Sequence, residues 1–181
     1  MKRSKKVVFI PFCLLAQGLR AEGIVKKFPA TVKPVVNLLE EYQVNLIQMP
    51  CPEIEYEGIK RKPAGKAKYD NEIYRDICRK YANQITSFIE NLIENEYEIL
   101  AILGIEKSPS CAINYLFEKG RMVRGKGVYM EELKKNLEER NINIPFLGIN
   151  INGMNKTLAE LRKFLGKKEG LLRYMGDTNS E

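Results

Sequence analysis

Apolar positions along this chain follow two alternating patterns. Short, nearly continuous apolar runs at Lys6 to Phe12, Val44 to Met49, Tyr97 to Leu103 and Ile144 to Ile149 have the length of strands buried on both faces. Between them the apolar residues return every three or four positions. Val32, Val35, Val36, Leu38 and Leu39 form one face of a helix predicted from about Thr31 to Tyr42, with Thr31 as its cap and Pro34 in its first turn. Further helices are predicted from about Asp70 to Glu94, Met130 to Arg140 and Lys156 to Leu165, with a short one beginning near Ser110. Gln17 to Pro29 and Glu53 to Lys68, rich in charge and glycine, read as loops.

Strands separated by helices imply parallel pairing through right-handed crossovers. The fold class expected is α/β, a three-layer sandwich around a mostly parallel four-stranded sheet of Rossmann or flavodoxin-like kind, with room for short added strands. A flavodoxin-like order 2-1-3-4 would put the switch point, where such sheets bind ligands, between strands one and three. Residues 1–176 are expected to form one domain, followed by a disordered tail at 177–181.

Composition narrows the function classes. The amino terminus carries Lys2, Arg3, Lys5 and Lys6, but the apolar run Val7 to Ile10 is too short for a signal-peptide core or a membrane span, so a cytoplasmic setting is expected. Histidine is absent, which removes imidazole-assisted catalysis and histidine metal ligands and leaves acid-base work to carboxylates, lysines, tyrosines and thiols. The net charge of +7 invites an anionic partner, although lysine and glutamate interleave through most of the chain. Two local clusters, Lys60 to Lys68 and Arg121 to Lys126, concentrate the positive charge; glycines 120, 125 and 127 around the second would let backbone amides approach an anion, and a plain connecting loop fits them as well. The interleaved charge leaves no large apolar patch that would betray an oligomer.

Four cysteines in 181 residues are too few for a disulfide scaffold, and in a reducing compartment they point to metal binding or catalysis. Cys13, Cys51 and Cys111 each fall just past a predicted strand, so an open sheet would bring them to one edge. Cys51-Pro52-Glu53 sets a thiol and a carboxylate side by side on a turn constrained by proline, and Ser108-Pro109-Ser110-Cys111 does the same with hydroxyls, its thiol expected near a helix amino terminus. Cys78, in the middle of a helix, reads as a core thiol. Thiolates suit zinc or iron-sulfur clusters; no cysteine pair has the close spacing usual in structural zinc sites, while three ligands to a four-iron cluster would leave one iron open. A zinc site built from the three cysteines and a carboxylate remains an alternative.

The set Cys13-Leu14-Leu15, Cys51-Pro52-Glu53 and Lys107-Ser108-Pro109-Ser110-Cys111, in that order over roughly residues 6 to 150, resembles the 2-thiouracil desulfidase (TudS) family and its related putative desulfidases. The resemblance implies a four-iron four-sulfur cluster held by Cys13, Cys51 and Cys111, with the fourth iron free for the substrate sulfur. Glu53 would be the acid-base residue and Ser108 a second polar group of the pocket, with Glu106 and Lys107 as further suspects or a surface ion pair. It implies an oxygen-sensitive, hydrolytic desulfidase acting on a thiolated heterocycle. The chain departs from the family at Arg20-Ala21-Glu22-Gly23, where an Arg-Tyr-Asp-Gly element is more usual. Two other readings keep the cluster: a sulfur carrier or transferase acting on thiolated tRNA, and a redox or sulfide sensor without turnover.

Overall fold

The structure is a computed structural model that describes residues 3–176, with side chains described through residue 168. The elements run β1 (Lys6–Pro11), α1 (Phe12–Leu15), a 3-10 turn at Gln17–Leu19, α2 (Lys33–Glu41), β2 (Asn45–Met49), α3 (Pro52–Glu57), α4 (Lys66–Tyr69), α5 (Glu72–Glu94), β3 (Glu98–Ile105), β4 (Tyr115–Glu118), β5 (Arg121–Arg124), α6 (Val128–Glu139), β6 (Phe146–Ile149) and α7 (Met154–Gly176). The tail expected to be disordered, 177–181, lies outside the described residues.

Four strands pair in parallel in the order β2-β1-β3-β6, which corresponds to the flavodoxin-like order 2-1-3-4. Val7 to Pro11 of β1 match Asn45 to Met49 of β2, and Ile102 to Ile105 of β3 match Phe146 to Ile149 of β6. The pleat sends alternate side chains to opposite faces. Val7 and Phe9 join Tyr74, Cys78 and Ile85 of α5 and Leu133 and Leu137 of α6, whereas Val8 and Ile10 join Val35 and Leu39 of α2 and Leu161 and Leu165 of α7. Two apolar layers thus enclose the sheet, and the molecule is a three-layer α/β sandwich. No described helix is long and apolar enough to cross a membrane.

Several elements differ from the sequence expectation. Thr31 does not cap α2; the cap position is Val32, and the Thr31 hydroxyl donates to the Leu15 carbonyl (3.2 Å). Pro52 to Glu57, expected as loop, is a helical turn with proline in its first turn and Glu53 and Glu55 beside its amino end, where acidic groups complement the exposed amides. No helix begins at Ser110. The chain there makes a turn and then the antiparallel hairpin β4-β5, so the basic stretch Arg121 to Arg124 is a strand rather than a loop. The last helix begins two residues before its expected start and continues well past Leu165.

Candidate functional site

The carboxyl ends of β2, β1 and β3 are neighbours in the sheet, and the three cysteine loops leave from them. Cys13 lies in the short helix α1 after β1, Cys51 directly precedes α3 after β2, and Cys111 lies in the turn after β3. All three line one cavity of about 860 Å³, together with Glu53, Arg61 and Ser108. Cys78 is fully buried in the α5 core, away from this wall.

Backbone packing holds the Cys111 loop tightly. The Ile105 amide donates to the Cys111 carbonyl (3.0 Å), and a Cβ at Gly104 would come within 2.1 Å of that same oxygen. At Gly127, the residue before α6, a Cβ would come within 2.2 Å of the Ser110 carbonyl carbon, so any side chain at either position would push the loop off its place. Gly127 therefore serves the approach of this loop to α6. Ser108 Oγ accepts the amides of Ser110 (3.2 Å) and Cys111 (3.0 Å), which fixes the turn, and its hydroxyl proton has no acceptor among the described residues. The helix amino terminus expected beside Cys111 stands instead at Cys51, the cap position of α3, where the backbone amides of Ile54 and Glu53 favour its thiolate.

Glu53 is the centre of a network that joins all three loops. Its Oε2 accepts from Arg61 Nε (2.9 Å) and its Oε1 from Ser110 Oγ (2.7 Å), so the carboxylate bridges the Cys51 helix to the residue before Cys111. Ser110 Oγ is in turn hydrogen-bonded to the Tyr74 hydroxyl (2.5 Å) in the buried face of α5. Arg61 Nη1 donates to the carbonyls of Leu19 (3.0 Å) and Gly58 (3.4 Å), tying in the Cys13 loop and the end of α3. With side chains only 3% and 12% exposed, Arg61 and Glu53 form a desolvated ion pair. Burial opposes the Arg61 cation, but its hydrogen bond and charge contact with Glu53 more than offset this and raise its pKa.

The thiols are electrostatically aware of one another. Burial, with smaller effects of Cys51 and Glu53 and against the pull of Arg20, pushes Cys13 up to about 12. Burial and the charge of Glu53 raise Cys51, and burial, Cys13 and Cys51 hold Cys111 well above its ordinary value. Among the described residues no three Cys, Asp or Glu side chains draw together as tightly as a single metal ion demands. The donor set lining the cavity is three thiols. Soft sulfur donors without histidine match an iron-sulfur cluster in chemistry.

Glu106 and Lys107 do not pair with each other. The Glu106 carboxylate accepts the amides of Asn114 and Tyr115 and the Asn114 side chain, fastening the start of the hairpin. Sequence reasoning missed Arg61 and Tyr74, and it placed the Ser110 hydroxyl in the Cys111 motif without its contact to Glu53. Arg61 stood in the basic cluster Lys60 to Lys68, but nothing local distinguishes it from its solvated neighbours.

No protein-family model matches the chain. It is similar to the uncharacterized protein MJ0003 of Methanocaldococcus jannaschii, 28% identical over 165 residues that span 90% of this chain and 99% of that protein. A second uncharacterized protein of the same organism, MJ0137, is 26% identical over 93% of this chain; the chain spans about half of its length, 52%. Among solved structures, a 4Fe-4S-dependent thiouracil desulfidase, TudS, is similar over 86% of this chain and 97% of that one, with a TM-score of 0.46 and 16% identity.

Proposed function

We propose that this chain is an iron-sulfur-dependent desulfidase that removes sulfur from a thiolated heterocycle such as a thiouracil-like base. One observation carries the reading: three thiols from three adjacent strand ends open onto a single cavity beside a buried, braced carboxylate. The order of the three motifs, which resembles the 2-thiouracil desulfidase family, supports the same chemistry. Cys13, Cys51 and Cys111 would hold a four-iron four-sulfur cluster. When bound, it would supply an open iron as a soft Lewis acid for the thiocarbonyl sulfur.

The net reaction is a hydrolytic exchange. Water gives its oxygen to the ring carbon, the carbon-sulfur bond breaks, and the two water protons leave with the sulfur as hydrogen sulfide. Glu53 is the base for that water. Each of its oxygens accepts one protein hydrogen bond, which leaves the second lone pair of each free to accept from the cavity it lines. Arg61 and Ser110 hold that carboxylate in place, and Ser108 directs its free hydroxyl proton to the substrate or the departing sulfur.

The test is oxygen-free reconstitution followed by assay of iron and acid-labile sulfide. About four of each per chain are expected, lost in C13A, C51A or C111A and kept in C78A. Glu53→Ala should keep the cluster and lower sulfide release from 2-thiouracil by about 10²- to 10⁴-fold. Zinc in place of iron, or full activity in the Glu53 variant, would overturn the reading. A second reading, sulfur removal or transfer on thiolated tRNA, is favoured by the charge of the cavity wall, where Arg20, Lys26, Lys27, Lys107 and Lys119 have no carboxylate partner among the described residues.

A further inference from the structure

One wall of the cavity comes from outside the cysteine loops. The β4-β5 hairpin turns at Lys119 (φ 49°) and Gly120 (φ 79°), the two positive φ values that a tight two-residue hairpin turn requires, and Phe117, Glu118, Lys119 and Gly120 line the cavity. The hairpin is anchored. Leu116 is buried, the Lys107 amide donates to the Tyr115 carbonyl (2.8 Å), and the Glu118 carboxylate accepts the Lys66 amide at the start of α4. Side chains alternate along a strand, so Phe117 stands on the face opposite Leu116, paired across the ladder with Met122. Both are 49% exposed, and the Phe117 ring has no aromatic partner among the described residues. A fixed strand therefore presents an unstacked phenyl face at the wall of a cavity whose other functional groups are mostly polar: thiols, carboxylates, amides, a hydroxyl and cations.

We propose that Phe117 is the stacking platform for the flat ring of the substrate, so that the hairpin selects planar heterocycles while the cysteine loops and Glu53 act on them. The inference rests on the desulfidase reading only in taking this cavity as the substrate site. A π-face accepts any planar base and ignores its exocyclic atoms. Recognition of the ring is therefore separate from recognition of its sulfur, and uracil, which carries no sulfur, should occupy the platform.

That separation supplies the test. The chain contains no tryptophan, so Phe117→Trp in the reconstituted 181-residue chain is a single reporter at the platform. Saturable quenching of its emission by uracil is expected. By calorimetry, Phe117→Leu, which keeps an apolar side chain but loses the π-face, should bind uracil about 5- to 150-fold more weakly than the natural chain, and Phe117→Tyr should restore binding. The same loss should appear in KM for 2-thiouracil, with kcat much less changed. Equal uracil affinity and equal KM in the Leu variant would overturn the proposal even if sulfide is released. Quenching and Leu-sensitive binding without sulfide release from any thiolated base would keep the platform and overturn the desulfidase reading instead.

Discussion

Arg61 holds the site together more than any other side chain, and it does so from a position with no local mark of importance. Its guanidinium reaches Glu53, the Leu19 carbonyl and the Gly58 carbonyl, while its own carbonyl accepts the Glu22 amide (2.9 Å). Removing one partner of a buried ion pair leaves the other charge without compensation. Arg61→Met is therefore expected to destabilise the protein by about 3 kcal/mol, and adding Glu53→Gln should recover much of that loss. Urea unfolding of both variants measures it, and an unaltered midpoint in Arg61→Met would contradict the brace. The same residue shows where sequence legibility stops. Cys13, Cys51, Cys111 and Glu53 could be found because strand ends and the Cys-Pro-Glu turn are local features, and the structure brings all four to one cavity. Ser110 and Arg61 gain their meaning from partners in other loops, a pairing that no spacing in the chain encodes.

At the scale of elements, the long periodic segments were readable and the short ones were not. The helix α5 spans Glu72–Glu94, close to its expected bounds, because Tyr74, Cys78, Ala82, Ile85 and Ile89 repeat one apolar face along it. The helix α3 is six residues long, too short for a period to appear, although Pro52 and two acidic residues marked its start. The hairpin turn uses Lys119-Gly120 rather than the commoner Asn-Gly, and its basic second strand, β5, resembles a solvated loop. Short elements need outside support, and α3 receives it from charge. Lys80 and the Tyr81 hydroxyl hold Glu55 below its ordinary value, and Lys68 and the Tyr69 hydroxyl do the same for Glu57. Because the folded carboxyls have the lower pKa, the unfolded chain binds more protons as the solution is acidified. The stabilisation from these contacts is complete above the ordinary value of 4.5 and is lost as pH falls below it through the folded values. Urea midpoints measured between pH 6 and pH 3 should decline less steeply for Glu55→Gln/Glu57→Gln than for the natural chain; parallel curves would show that the contacts are too exposed to matter.

For the molecule as a whole, the alternation of elements and the parallel pairing follow from apolar periodicity and crossover handedness, whereas the strand order β2-β1-β3-β6 is settled only by the structure. What periodicity could not show is where the charge goes. The net charge is +7, and five cations with no carboxylate partner among the described residues line the same cavity as the thiols. If thiolated tRNA is the natural ligand, that field should act on its phosphates. Five such contacts predict a slope of about −4 in log K against log salt concentration, with Lys26→Ala/Lys27→Ala shallower by about 2. Salt-independent binding would assign the cavity to small, uncharged bases. The placement of the three cysteines also governs how the protein is made. A ribosome releasing this chain from its amino end delivers Cys13 and Cys51 well before Cys111, and β1 and β2 alone present an incomplete set of thiols. Only when β3 has emerged and paired alongside β1 do the three sulfurs face one another. If the three thiols hold a cluster as proposed, its insertion waits for the sheet to register, because the loops after β1 and β2 supply only two of the three.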